Sequence, residues 1–203
     1  VGSEFKIDAS YLSPNVSIVK AIERATLMYG VPILLAQSVY ELLGERMADK
    51  CRLIDNVVIT GSTQPMNLFS VDCDYMSIKV DKSEPLQITW NSKQRFRARQ
   101  FNESQKANIK SLDCVIADIF DKDANIKVMR RRFTQEFFQN FNMGYQNYAE
   151  GEWAVARRML VSTQCLLGVE DGPSSALLRF MEEHQYERPK DWPGYRLLNH
   201  SGN

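Results

Sequence analysis

The sequence contains few of the side chains on which many protein chemistries depend. Its only two histidines, His184 and His200, both lie near the end, so a histidine-based metal site is not expected. The four cysteines are far apart and form no CxxC pair, which favours reduced thiols, with a disulfide or metal framework as the alternative. They are Cys51, Cys73, Cys114 and Cys165.

Long apolar runs and an excess of charge are also missing. No apolar stretch approaches the roughly 20 residues that a membrane span needs. Basic and acidic residues number 25 each, so no overall field favours nucleic acid or a membrane surface. Residues 1–7 contain no apolar segment of the kind found in signal peptides, and a cytoplasmic location is therefore expected. Because the chain does not begin with Met, we expect it to be a piece of a longer protein.

The composition is otherwise ordinary for a soluble globular protein. Of the 203 residues, 44% are hydrophobic and 25% are charged, which is enough for one good core or two small ones. We expect an α+β fold over residues 1–75, a linker or extended pair over residues 76–100, and a helical tail over residues 101–203.

Helical and extended patterns alternate in the first 71 residues. Ile18, Ile22, Ala25 and Tyr29 form one helical stripe that ends before Gly30, which predicts an amphipathic helix. Residues 33–35 then predict a short buried strand and residues 38–44 a second helix. Residues 52–60 and 66–71, separated by a turn, predict an antiparallel hairpin.

The second half of the chain has helical spacing from residue 101 to residue 168. A long helix over residues 126–148, a turn at 150–152 and a helix over 153–167 resemble one tetratricopeptide (TPR) hairpin. A short helix over 175–183 and an extended end over 188–196 follow. The inner face of the hairpin is predicted to carry Phe137, Phe141, Tyr145, Trp153 and Leu160.

A local basic run lies at residues 93–99 (KQRFRAR) and includes one aromatic residue, Phe96. A linker or a solvated face is the first interpretation of such a run. Contact with phosphate or with an acidic partner is the alternative.

The order of elements in residues 1–71 resembles the C-terminal part of the catalytic domain of class III adenylate and guanylate cyclases, which turn ATP or GTP into a cyclic nucleotide. The resemblance rests on residues 6–16 (KIDASYLSPNV), the helix after them, residues 30–35 (GVPILL), and the pair 55–61 and 65–69. It implies part of a ferredoxin-like fold. Residues 11–14 (YLSP) resemble an insertion of ciliate and other protist members, and residues 171–174 and 189–194 resemble a tail that follows some cyclase domains.

This resemblance places specific residues at the family's functional positions. Aligning residues 16–23 (VSIVKAIE) with the family motif V-N-x-x-x-R-L-E puts Ser17 at the Asn and Ala21 at the Arg. In the family these two side chains orient the ribose and stabilise charge on the transferring phosphate, so no catalytic residue is expected here. Asp8 matches the position that reads the purine edge, although an Asp beside a turn also commonly caps that turn.

The resemblance also implies where the cofactor and the partners are. An active family member holds two Mg²⁺ or Mn²⁺ ions through two Asp residues in the first half of the domain, so no metal or cofactor site is expected in this chain. The expected partners are upstream cyclase-domain residues or a second cyclase-like domain, and other proteins at the helical tail. No nucleic acid and no membrane segment are expected. We further predict that upstream chain or a partner, rather than the tail, covers the helix face carrying Ile18 and Ile22.

Two functions from different classes follow. The first is part of a class III cyclase-like signalling protein in which this half lacks the Asn and Arg, and these residues alone are predicted to be inactive. The alternative is a pseudo-cyclase that acts as a structural or interaction module in a larger protist assembly. A third interpretation is a regulatory module that binds nucleotide through Asp8 without turnover. Besides the cytoplasm, the expected locations are a cilium or the cytoplasmic side of a membrane protein.

Overall fold

The computed structural model describes residues 14–59, 62–79, 89–111 and 115–198. Asp8 lies outside the described residues. The described chain forms two compact units, one containing the residues up to Asp72 together with those from Arg132 onward, and one from Cys73 to Arg131. This division differs from the sequence-based boundaries at residues 75 and 100, which placed residues 101–203 together.

Helices and strands alternate early in the chain, and helices dominate later. The elements are α1 (Pro14–Tyr29), β1 (Leu34–Ala36), α2 (Gln37–Tyr40), α3 (Glu45–Ala48), β2 (Cys51–Ile59), β3 (Met66–Val71), a 3₁₀ turn (Tyr75–Ser77), α4 (Ser92–Lys110), α5 (Ile116–Lys122), α6 (Ala124–Arg130), α7 (Gln135–Glu150), α8 (Trp153–Leu167), α9 (Gly172–Glu183) and β4 (Arg196–Leu198). The fold is therefore of the mixed α+β class that the sequence predicts.

A mixed sheet in the order β1-β3-β2-β4 lies in the first unit. Strand β3 is antiparallel to both β1 and β2, which confirms the predicted hairpin. Strand β4 runs parallel to β2, with Arg196 opposite Val57 and Leu198 opposite Ile59. The end of the chain thus supplies a strand of the sheet, which was expected only as an extended segment.

The predicted inward stripe of α1 is confirmed at Ile22, Ala25 and Tyr29, which are buried in the core, and Ile18 is partly buried against it. Ala21, which was not part of the predicted stripe, is buried as well. The helix ends at Gly30, whose φ of +60° lies in the left-handed region that favours glycine.

Helix α9 packs against the end of α1, so closely that a Cβ on Gly172 would collide with the carbonyl oxygen of Tyr29. Arg179 Nη2 donates a hydrogen bond of 3.1 Å to the carbonyl oxygen of Met28. The Gly172-Pro173 sequence at the start of α9 therefore lies in a close helix–helix contact. These contacts lie at the C-terminal end of α1, beyond Ile18 and Ile22, so what covers the face carrying those two residues stays a prediction.

The α7–α8 hairpin packs on the same core. Its five predicted inner residues are all buried, which confirms the predicted face. The predicted single helix over residues 126–148 is wrong, because the chain forms α6 and α7 with a break at residues 131–134. The physical reason is a cap: Thr134 Oγ1 accepts a hydrogen bond of 3.2 Å from the amide of Phe137 and starts a new helix.

The second unit contains the 3₁₀ turn and helices α4 to α6. The amide of Asp74 donates a hydrogen bond of 2.9 Å to the carbonyl oxygen of Met129 in the last turn of α6. Helix α4 begins with a capping box in which Asn91 and Gln94 each accept a hydrogen bond from the other's backbone amide. The basic run at residues 93–99 is the exposed first part of this helix, and none of the helix's residues is buried.

Candidate functional site

Charged side chains occupy two inward positions of strand β2. The strand buries alternate residues, but the register shifts between Leu53 and Asp55, so Ile54 and Asp55 are both buried. This bulge places Arg52 and Asp55 in the interior of the first unit, where each needs a partner of opposite charge.

Arg52 binds two carboxylates from distant parts of the chain. Its Nε and Nη2 donate to the two oxygens of Asp72 at 2.9 Å and 2.7 Å. Its Nη1 and Nη2 donate to the two oxygens of Asp171 at 3.0 Å and 2.9 Å. All three side chains are almost completely buried. Arg52 thereby joins the sheet to the start of α9 through two bidentate ion pairs.

Aromatic rings complete the surroundings of Arg52. Its Cζ lies 4.2 Å from the ring centre of Phe141 and 4.9 Å from that of Phe137, both on α7. Burial alone would lower the pKa of Arg52, but Asp72 and Asp171 raise it above the ordinary value. The guanidinium therefore keeps its positive charge and cannot act as a general acid or a general base.

Asp171 has a second role at the N-terminus of α9. One of its oxygens, Oδ2, accepts hydrogen bonds from the amide and the hydroxyl of Ser174 at 3.0 Å and 2.6 Å. The hydroxyl of Thr163 on α8 donates to Ser174 Oγ at 2.9 Å. The carboxylate thus caps α9 and links it to both α8 and the sheet.

A second buried network lies around Arg196 on β4. Its Nε donates to Asp55 Oδ2 at 2.8 Å, and its Nη2 donates to the hydroxyl of Tyr29 at 3.3 Å. That hydroxyl in turn donates to Asp55 Oδ2 at 2.6 Å. Burial raises the pKa of Tyr29 well above its usual value, and Asp55 raises it further. The network connects α1, β2 and β4.

An aromatic cluster lies beside this second network. The indoles of Trp153 and Trp192 both donate to the carbonyl oxygen of Tyr148, at 3.0 Å and 3.1 Å. The ring of Tyr148 stacks on Trp153 with centres 5.9 Å apart. Burial, and next the charge of Asp55, raise the pKa of Tyr148. Among the described residues, nothing accepts or donates a hydrogen bond at the Tyr148 hydroxyl.

The buried carboxylates of the first unit are bound by arginines. Asp55, Asp72 and Asp171 each accept a hydrogen bond of 3.0 Å or less from an arginine, which supplies the positive charge that each needs in the interior. Within the described ranges, no group of three His, Cys, Asp or Glu side chains is arranged to hold a metal ion. The two networks hold α9 and β4 against strand β2 through buried ion pairs.

The family positions named from the sequence do not come together as a site. Ala21 is 2% exposed and belongs to the core, whereas Ser17, one turn earlier on α1, is exposed to solvent. The two residues lie one turn apart on the same side of α1, but the core covers position 21 whereas Ser17, in the first turn, is open to solvent.

An open groove runs along the outer side of α1. It has a volume of about 540 Å³ and lies between α1, the segment from β1 to α2, and the loop joining β2 to β3. One polar pair lies on α2, where Gln37 Nε2 donates to Glu41 Oε1 at 2.8 Å. The apolar lining of the groove includes Ile18, Val19, Ile22, Leu34, Val39 and Met66.

Sequence reasoning did not identify the buried charges as functional or structural centres. A signal was present in β2, since Arg52 and Asp55 interrupt a run that otherwise has apolar residues at the inward positions. The partners Asp171 and Arg196 carry no such local signal. They lie 119 and 141 residues from the β2 residues that they bind.

Comparison with known proteins identifies no matching family model, no similar curated protein and no similar solved structure. A search of the described helices for one long and apolar enough to cross a membrane finds none.

Proposed function

We propose that the first unit is the later half of a class III nucleotidyl cyclase-like domain and serves a cyclic-nucleotide signalling protein without turning over nucleotide itself. The order of α1, β1, α2 and the β2–β3 hairpin supports this proposal, because it follows the order that the resemblance implies. In this proposal the first unit supplies structure rather than catalysis, and buried ion pairs hold its interior together.

Burial of Ala21 is the observation that carries the absence of turnover in this proposal. The family's arginine must reach a phosphate, but position 21 is 2% exposed and packs in the core. Ser17 is exposed, and its neighbours on α1 include no histidine to activate its hydroxyl. Neither position can supply the charge stabilisation on which the reaction depends.

The test combines an activity assay with a stability assay on the full chain. Incubation with Mg²⁺ or Mn²⁺ and either ATP or GTP should give no cyclic nucleotide above a boiled control. Ala21→Arg should lower the free energy of unfolding by about 3–5 kcal/mol, since it buries an unpaired charge. Leu27→Arg is the matched control, because Leu27 lies on the same helix and is 85% exposed.

Two results would contradict the proposal. One is steady cyclic-nucleotide formation by the unaltered chain. The other is an Ala21→Arg variant that keeps its stability and gains nucleotide affinity in a titration, because position 21 would then face a nucleotide site.

The groove along α1 favours a second candidate, a pseudo-cyclase that acts as an interaction module. Val19 is 64% exposed and adds to the contiguous apolar lining of the groove, the kind of surface that a protein partner covers. In this candidate the α7–α8 hairpin, which resembles one TPR unit, is a further contact for proteins in a cytoplasmic or ciliary assembly.

Full-length protein distinguishes the two candidates. Under the first, the full-length protein makes cyclic nucleotide, and Val19→Glu lowers that activity by weakening the pairing of domains. Under the second, the full-length protein makes none, while Val19→Glu still changes its association measured by analytical ultracentrifugation. Fluorescent tagging of the full-length protein tests whether it is cytoplasmic or ciliary.

A further inference from the structure

Helix α4 carries a straight stripe of positive charge. At 100° per residue, Arg95, Arg99, Lys106 and Lys110 fall within an arc of roughly 60° on the helix circumference. With a rise of about 1.5 Å per residue, the stripe is about 22 Å long. One acidic residue, Glu103, lies on the same side of the helix.

The stripe is not used to stabilise the described part of the chain. All four of its basic residues are exposed, and none forms an ion pair with a described acidic side chain. The nearest to a structural role is Arg95, whose Nε donates to the carbonyl oxygen of Trp90 at 3.0 Å. By contrast, Arg52 and Arg196 in the first unit are buried and paired.

Exposed aromatic rings accompany the stripe but do not share one face. Phe96 lies beside the basic residues, at about 70° from the centre of the stripe, whereas Phe101 lies at roughly 150° from it. Both rings are largely exposed, and so is Trp90 before the helix. A flat bilayer cannot take the aromatic residues and the stripe at the same time, so this helix lacks the one-sided pattern of an interfacial helix.

We propose that α4 is a docking surface for an acidic helix of a protein partner. Carboxylates at successive spacings of four, seven and four residues on the partner would lie opposite the four basic residues. A second copy of this chain cannot dock through its own α4, because that would bring like charges together. Nucleic acid is the less favoured occupant, since the chain has a net charge of zero and four of the six basic residues of α4 lie in one stripe.

The phenyl ring of Phe96 gives the docked helix an apolar contact beside the ion pairs. Charge complementarity then sets the register and the rate of association, and the aromatic contact adds to the affinity. This surface lies in the second unit, so the proposal is independent of the cyclase-like assignment of the first.

Fluorescence anisotropy with the full chain and a labelled peptide tests the proposal. The probe is a helical peptide with glutamates at the four matching positions, and the control is a peptide of the same composition in scrambled order. The glutamate peptide should bind at least about ten-fold more tightly than the scrambled one. Binding should weaken as the salt concentration rises.

Charge reversals on the two sides of α4 locate the surface. Arg99→Glu with Lys106→Glu should weaken binding of the glutamate peptide about ten-fold or more. The matched control, Lys93→Glu with Arg97→Glu, removes the same charge from the other side of the helix and should weaken it less than about three-fold. Glu103→Gln should tighten binding of the glutamate peptide. A peptide with two lysines opposite positions 99 and 106 should bind the Arg99→Glu, Lys106→Glu variant and so restore the lost affinity. Circular dichroism checks that each variant remains helical.

Three results would overturn the proposal. The first is an equal loss of binding for the two pairs of reversals, which would show an undirected effect of charge. The second is equal affinity for the two peptides. The third is tighter binding to a single-stranded RNA oligonucleotide or to vesicles containing phosphatidylserine, with the same dependence on Arg99 and Lys106.

Discussion

Two arginines of the first unit and the arginines of helix α4 in the second unit lie in opposite environments. In the first unit Arg52 and Arg196 lie in the interior, and each is bound by carboxylates and faces aromatic rings that come from other elements. In the second unit the arginines of α4 are exposed along one helix. Removing a charge from water costs several kcal/mol, so burial occurs only where separate elements supply the partners. The buried arginines hold a fold together, whereas the exposed ones are available to a partner.

Substitution of Arg52 should lower the free energy of unfolding the most, and it tests the contrast between buried and exposed arginines directly. Arg52→Met leaves the carboxylates of Asp72 and Asp171 buried without their cation. We expect the free energy of unfolding to fall by about 3–5 kcal/mol, measured by urea denaturation. Arg99→Met on α4 is the matched control and should change it by less than about 0.5 kcal/mol.

Equal effects of these two substitutions would contradict the comparison. A small effect of Arg52→Met in particular would show that water reaches the two carboxylates and that the ion pairs are not buried in solution.

Two phenylalanines sharpen the same contrast without changing charge. Phe141 is fully buried below Arg52, and Phe96 on α4 is 65% exposed. Phe141→Ala should lower the free energy of unfolding by about 3–5 kcal/mol through the cavity that it leaves. Phe96→Ala should change it by less than about 0.5 kcal/mol. An unaltered melting temperature for Phe141→Ala would mean that the packed face of α7 has been assigned wrongly.

The smallest expected effect concerns buried tyrosines and pH. Burial raises the pKa of Tyr29 and of Tyr148, so folding favours the protonated phenols. Their contribution to stability is fully present below the unfolded pKa of about 10 and is lost as the pH rises toward the folded pKa. The free energy of unfolding should therefore decrease above about pH 10.

Tyr148→Phe isolates one part of that dependence. Because the Tyr148 hydroxyl has no hydrogen-bond partner among the described residues, its loss should change stability at pH 7 by less than about 1 kcal/mol. The decrease above pH 10 should become shallower. An unchanged pH dependence in the variant, followed by denaturation at pH 9 to 11, would show that the phenol is accessible to solvent.

Local patterns in the sequence predicted the parts of the fold that depend on neighbouring residues. The helical stripe of Ile22 and Tyr29, the β2–β3 hairpin and the inner face with Phe137 and Trp153 all follow from spacing along the chain. The break before α7 was missed because a single cap residue, Thr134, outweighed a continuous apolar stripe.

Contacts between distant residues could not be predicted in the same way. Nothing near Arg196 indicates that it pairs with Asp55, or that residues 196–198 add a strand to the sheet. Position 21 holds alanine where the resemblance implies arginine, and only packing shows that this position faces the core. The sequence showed a basic run at residues 93–99. That run is part of an exposed stripe only because the chain forms helix α4, which starts at the capping box of Asn91.

The central claim is that α9 and β4 belong to the same cooperative fold as the sheet, joined to it by the buried arginines. Native-state hydrogen exchange measures this directly, residue by residue. We predict that the amides of α9, β4 and β2 exchange with one common free energy, and that this free energy falls for all three elements in Arg52→Met. Exchange of α9 and β4 at a much lower free energy than β2, unaffected by Arg52→Met, would contradict the claim.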